Sequence, residues 1–383
     1  MRNFISVLTI IGALFILFNE TTALPRFAAQ EGVLCGQCHV NDQGAALRNS
    51  YGAEYYSQKV LPMSEWDDFG SEDYTAQLNE YIRYGGDVRV QYYRYAEENS
   101  SRSAFFPMQA DAYINVQPSE YLQFFLEQSL FRNFAATDVW AQYNFSKDAG
   151  YLRFGQFLPS YGLRLDDHTA FIRGGNIGGI TIPDSISDIS VSRQGLHWNP
   201  TNQAMGLEGM VKPFDLQLTG SVVKPSNSST YSATLNLTHA FWLGDMNFII
   251  GGSYFRGNLI SADSTYSYYG VNAGLNFGRF TYLGEIDFTQ NYSEDYLGQL
   301  TNGLAIYSEL SVRVLRGCDL VMSYHFFDPS TEFTGRGLTR WTFGASVIPV
   351  AYIEIKPQYR ILTAAADTDF SHSELIFQGH FWF

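Results

Sequence analysis

Asp87-Val88-Arg89-Val90-Gln91-Tyr92-Tyr93-Arg94-Tyr95 alternates polar with apolar or aromatic side chains, and this period of two decides how the chain is read. Successive side chains on opposite sides of an extended backbone make a strand with two unlike faces. Toward the C-terminus the pattern returns over 122–128, 139–145, 152–157, 216–222, 232–238, 248–255, 269–277, 280–288, 306–314, 320–326, 341–347 and 352–359. It closes with Leu375-Ile376-Phe377-Gln378-Gly379-His380-Phe381-Trp382-Phe383. In a soluble sandwich the polar set meets water and the apolar set meets a second sheet, whereas in a membrane barrel the apolar set meets lipid. Segments near the ~10 residues of a tilted spanning strand, with aromatic residues crowding their ends, favour the barrel. The spacing predicts an all-β fold over 82–383, a transmembrane antiparallel β-barrel of roughly sixteen strands with room for a lumen.

Composition agrees with that reading. The 383 residues include 26 Tyr, 30 Phe and 34 Gly, with only 16% charged, a strand-rich profile. The net charge of -14 argues against nucleic acid as a partner, because such a protein concentrates Lys and Arg on one face. The acidic excess either attracts cations or keeps loops soluble.

Back toward the N-terminus stands Cys35-Gly36-Gln37-Cys38-His39, a Cys-x-x-Cys-His run that is the attachment signature of a c-type haem. Two thiols about one helical turn apart can both reach one porphyrin edge, while the following histidine comes beneath the iron. A thioredoxin-type pair expects a surrounding βαβ pattern and a zinc site expects a second ligand pair, and the sequence displays neither. Cys318 stands alone far downstream, a small buried or lipid-facing residue.

Residues 24–81 form the expected small α-helical c-type cytochrome, which one covalent haem c would complete. Pro25 suits a helix start and Gly32 its end, delivering Cys35 from a short helix. A second helix is expected over 45–56, with Leu47, Tyr51 and Tyr55 on one side. Met63 is the methionine of this segment and the first candidate for a second axial ligand; filling a packing gap is its alternative role. His168 and His325 would have to ligate from the barrel. About sixty residues are few for an independent core, so covalent haem and docking as a plug inside the barrel would supply the rest.

Residues 1–23 read as a cleaved secretory signal peptide, with Arg2 before an apolar run and Thr21-Thr22-Ala23 at its end. Export suits both the barrel and haem c. A long polar stretch over 155–175 interrupts the alternation. Its Arg164, Asp166, Asp167, His168 and Arg173 either form a charged ring folded into the lumen or tie an outer loop through their own ion pairs.

The export signal, the Pro25-x-Phe27-Ala28-x-Gln30-x-Gly32 lead into Cys35-x-x-Cys38-His39, and the barrel-like remainder ending in an aromatic strand together resemble the fused monohaem cytochrome-porins of iron-oxidising bacteria. The resemblance implies an outer-membrane location, with the lipid of that membrane around the barrel. It further implies haem held by Cys35, Cys38 and His39, an extracellular electron donor such as Fe(II), and a periplasmic c-type cytochrome as acceptor. Electron transfer across the membrane is the first function it implies. Beside the resemblance stand two other readings, a transport porin whose haem segment is a structural or redox-sensing plug, and a peroxidase-like enzyme with an open iron position.

Overall fold

The computed structural model describes residues 25–44, 47–64, 74–97, 100–130, 136–146, 149–165, 167, 169–174, 195–196, 203–213, 216–225, 230–258, 265–294, 299–332, 337–364 and 367–383. The expected signal peptide, and Asp166 and His168 of the expected charged loop, lie outside the described residues.

A short strand β1 (Gln77–Asn79) turns into β2 (Ile82–Glu97), followed by β3 (Ser100–Ser119), β4 (Leu122–Ser129), β5 (Ala136–Ser146), β6 (Gly150–Phe157), β7 (Ala204–Val211), β8 (Leu216–Pro225) and β9 (Ser232–Leu243). Then come β10 (Met246–Asn258), β11 (Thr265–Phe277), β12 (Phe280–Glu294), β13 (Leu300–Leu315), β14 (Cys318–Asp328), β15 (Leu338–Val347), β16 (Ile353–Ala364) and β17 (Asp367–Trp382). From β2 to β17 each strand pairs antiparallel with the next. The last returns to the first, with Phe377 opposite Tyr92 and Gly379 opposite Val90. The result is a closed antiparallel barrel of sixteen strands, the number expected from the sequence, and closure leaves no sheet edge to aggregate.

The two faces of β12 show what the alternation is for. Thr281, Glu285, Asp287 and Thr289 are buried inside, while Ile286 and Phe288 lie exposed at 37% and 55%. Polar inside and apolar outside is the reverse of a soluble sandwich, and lipid is the solvent that this outer surface suits. Tyr121, Tyr143, Phe145, Phe277, Phe280 and Phe383 stand exposed around the end that carries the short turns and the C-terminus, one aromatic girdle of such a barrel.

The segment before β2 runs through the ring. Helix α1 (Pro25–Glu31) begins on a proline and ends at Gly32, whose φ of +74° closes the helix. A Cβ at Gly32 would collide with Trp242 of β9 and Asn247 of β10, so only glycine lets the helix end lie this close to the wall. Arg26 bonds Glu309 of β13 with both donors of its fork, at 2.8 and 2.9 Å. Gln30 donates to Asp319 of β14 at 3.1 Å and its carbonyl accepts from Asn247 at 2.8 Å.

The opposite wall holds residues 41–43. Gln43 donates to Glu208 of β7 at 2.9 Å, and Arg153 of β6 donates to Asn41 at 3.2 Å. Arg153 is fully buried, pairs with Glu208 at 3.1 Å and stacks over Trp140 and Tyr151. An Arg153→Leu variant should lose about 3–5 kcal/mol, because Glu208 is left buried without its counter-charge. Urea unfolding of the detergent-solubilised barrel measures this. A midpoint unchanged from wild type would show that the pair carries no stability.

The second helix differs from expectation. It spans Tyr51–Val60, ten residues wound with π-type hydrogen bonds, and so starts later and ends later than the sequence suggests. Tyr55 is half exposed, not on the buried side, while Leu47 packs separately with Phe157, Trp140 and Val223. The helix is tied to the barrel's short-turn end: Gln58 donates to Tyr352 at 2.6 Å, Tyr352 to the Ala53 carbonyl at 2.9 Å, and Trp382 to Ser57 at 3.2 Å.

Candidate functional site

Cys35–Gln37 form a single 3-10 turn, and the N–H groups of Cys38 and His39 both donate to the Cys35 carbonyl, at 3.3 and 3.2 Å. The two thiols and the imidazole therefore issue from one turn. Residues 47–49 clamp it: Val40 donates to Leu47, Asn49 to Cys38, and the Asn49 side chain to the Gly36 carbonyl at 2.9 Å. Where the helix begins, a Cβ on Gly52 would collide with the Cys38 backbone, so glycine is what allows the helix to cross the turn.

The turn lies between two cavities. One of about 550 Å³ is lined by Cys35, His39, Leu34, Leu158, Leu163 and Arg164, among others. The other, about 140 Å³, is lined by Cys38, His39, Arg48, Trp382 and residues of β13 to β17. The larger falls within the ~300–1,000 Å³ of small-molecule and cofactor sites. Cys38 and His39 are each 4% exposed, and the described cysteines form no disulfide.

Burial pushes the Cys35 and Cys38 thiols up to about 12, against the smaller opposing pull of Arg164 on the first and Arg48 on the second. A redox-active Cys-x-x-Cys pair lowers its thiol instead, because the thiolate is the attacking species. Two thiols and an imidazole issuing from one turn, with Cys35 and His39 beside the larger cavity and Cys38 and His39 beside the smaller, are a donor set of the kind that covalent haem c uses. Among the described residues no group of three or more His, Cys, Asp or Glu side chains forms a metal cluster.

The remaining expected site residues lie at the rim, on β14 and in the stretch after β6. Met63 sits at the short-turn rim, its N–H donating to the Ile348 carbonyl at 2.8 Å and its side chain 41% exposed. It lines neither cavity beside His39. His325 is buried on β14 between Phe171 and Tyr307. Cys318 is half-buried at the start of β14.

The stretch after β6 is bonded to the inner wall. Arg173 donates to both oxygens of Glu285, at 2.7 and 2.8 Å, and its fork also reaches the Leu163 carbonyl. Tyr161 donates to Asp287 at 2.7 Å and the Leu163 N–H to Glu285 at 2.6 Å. Asp167 faces Arg340 and Arg360, both at 3.4 Å. Burial by itself would raise the Asp167 carboxyl, but Arg360 and Arg340 outweigh it and hold it well below the usual carboxylate range. Arg164 lines the larger cavity, its Nη1 buried without a hydrogen bond. Phe171, Ile172 and Leu196 pack with Tyr268, Tyr292 and Phe327 in the main core. The sequence displayed the loop's charges but not their partners, which stand on β12, β15 and β16, more than a hundred residues away.

Sixteen antiparallel strands in one meander, a polar interior, an apolar exterior and a loop after β6 bonded to the inner wall define a porin-type barrel. No protein-family model matches the chain, and no curated protein matches it. Among solved structures it is similar to the anion-selective porin from Comamonas acidovorans, at 11% identity over 79% of this chain and 99% of that one, with a TM-score of 0.59. It is also similar to OprB of Pseudomonas putida, at 8% identity over 86% of this chain and 100% of that one, with a TM-score of 0.61. OmpF of Salmonella typhi aligns at 11% identity over 79% and 97%, with a TM-score of 0.57. The fold is shared with these outer-membrane barrels.

Proposed function

We propose that this protein sits in a bacterial outer membrane and carries one covalent haem c on the segment inside its barrel, passing electrons between a donor outside and a carrier in the periplasm. The observation that carries this reading is the single turn from which Cys35 and His39 line the larger cavity and Cys38 and His39 the smaller one. Bound haem c supplies a one-electron iron couple. Cys35 and Cys38 would hold it by thioethers, and His39 would ligate its iron. Arg164, which lines the larger cavity, is placed to meet an acidic edge of the group. The wall residues do the remaining work: Glu309 and Asp319 on one side, and Glu208 and Arg153 on the other, fix the turn across the lumen. Extracellular Fe(II) is the donor we favour, and a soluble c-type cytochrome the acceptor.

The test uses the haem-loaded protein in detergent, oxidised and mixed anaerobically with Fe(II). Rapid appearance of a reduced c-type absorbance spectrum is expected. A spectrum that stays oxidised with Fe(II) yet is fully reduced by dithionite rules out iron as the donor.

A second reading, solute transport with the N-terminal segment as a structural or redox-sensing plug, is favoured by the fold likeness to porins. It requires an open path past that segment, which reaches from Glu208 on β7 to Glu309 on β13. Planar-bilayer recordings separate the two: steady porin-like conductance of the haem-loaded protein supports transport, and its absence supports the electron conduit.

A further inference from the structure

A low-spin cytochrome needs a second ligand opposite its histidine, and the barrel wall offers one that the sequence pattern conceals. We infer that the thioether of Met108, on β3, is the distal ligand of the iron whose proximal ligand is His39. This inference rests on the haem-bearing reading above.

The ladder between β2 and β3 contains the first observation. Arg89 pairs with Gln109 and Val90 with Pro107, so Met108 is an extra residue that no residue of β2 opposes. It is a β-bulge, a device that re-aims a side chain. Pro107 lacks the N–H that a regular ladder would use, which suits it to the irregular place. Asp111 and Tyr113 are buried inside and Gln109 lines the larger cavity. Strict alternation would therefore send Met108 outward to lipid. The bulge turns it inward instead, and Met108 lines both cavities that His39 lines.

The competing side chains are committed elsewhere. His380 also lines both cavities, but its Nε2 lies 3.0 Å from Asp87 and its Nδ1 3.1 Å from Glu354, so both ring nitrogens are held by carboxylates. Lys356 lies 3.0 Å from Glu354. Met63 is fixed at the rim by hydrogen bonds of its own N–H and carbonyl, and lines neither cavity. A thioether is a soft donor that suits haem iron and raises its potential. Coordination forms one dative bond from a sulfur lone pair, moving neither a proton nor a redox electron.

The experiment compares full-length, haem-loaded wild type with Met108→Leu, Met108→His and, as control, Met63→Leu. Covalent haem is first verified by its stain on a denaturing gel. The oxidised wild type should show the weak far-red sulfur-to-iron charge-transfer band. Met108→Leu should lose that band, bind added imidazole and titrate to a lower midpoint potential. Met108→His should restore a low-spin spectrum without the band, and Met63→Leu should retain it. A band that survives Met108→Leu, or disappears with Met63→Leu, overturns the inference while leaving the electron conduit intact. Wild type without covalent haem overturns both.

Discussion

Replacing Cys35 and Cys38 together by alanine is expected to abolish covalent haem and to leave the barrel standing. Each thiol can form one thioether, so either single variant should retain one covalent link and only the double variant should lose haem entirely. The sulfurs contribute little to the fold itself. The barrel is held by a closed ladder of sixteen strands, and the turn's backbone is clamped by Val40, Leu47 and Asn49 without help from the thiols. Haem staining after denaturing electrophoresis measures the covalent link, and heat-modifiable migration measures the barrel. The idea fails if the double variant still stains, or if wild type made in cells with haem-attachment machinery does not.

The second large effect is expected at Arg173. Its guanidinium faces Glu285 at 2.7 Å and Asp287 at 3.9 Å, two wall carboxylates with fully buried side chains. Arg173→Ala strands both carboxylates, and breaking a buried pair costs about 3–5 kcal/mol. The cost falls on docking of the loop, since Tyr161, Leu163 and Asp287 share the same knot. Release of the loop from the wall should follow, read as faster proteolysis between residues 158 and 174. Arg173→Lys should restore little, because lysine cannot reproduce the fork that meets a carboxylate and a carbonyl together. Unchanged proteolysis in Arg173→Ala would mean that the loop is held by its apolar contacts alone.

Asp167 sets the pH dependence of the same docking. Its carboxyl is held below the usual carboxylate range, so its contribution is complete above the unfolded value of about 3.9 and is lost as pH falls through the lower folded value. The loop should accordingly resist proteolysis as well at about pH 5 as at neutrality, and lose that resistance only in stronger acid.

The alternation exposed most of the wall in advance because lipid and lumen impose opposite polarity on neighbouring residues. Two strands escaped that reading for local reasons. In β3 the bulge at Met108 and the adjacent Pro107 shift the period by one residue, so the polar and apolar sets exchange sides midway. In β7 the sequence Ala204-Met205-Gly206-Leu207-Glu208-Gly209-Met210-Val211 contains two glycines, and its inner face carries Met210 as well as Glu208, which blurs the contrast. The turn at Cys35–Gln37 was legible because the Cys-x-x-Cys-His spacing is local. The partners of Arg173, Asp167 and Gln43 were not, because a meander brings distant strands around one lumen with no trace in the spacing of residues.

The course of the N-terminal segment through the ring has a consequence for the order of events in biogenesis. Residues 25–64 come first in the chain, yet they bond β6, β7, β10, β13 and β14, and the seam between β2 and β17 is made by the last strand to emerge. In a finished cylinder the segment could reach these partners only through an open end, whereas before the seam closes they are accessible from the side. The thiols of Cys35 and Cys38 end up behind that seam, so any enzyme that modifies them has to act on the chain while it is still open. On the haem-bearing reading, attachment at Cys35 and Cys38 would therefore precede closure of the wall around them.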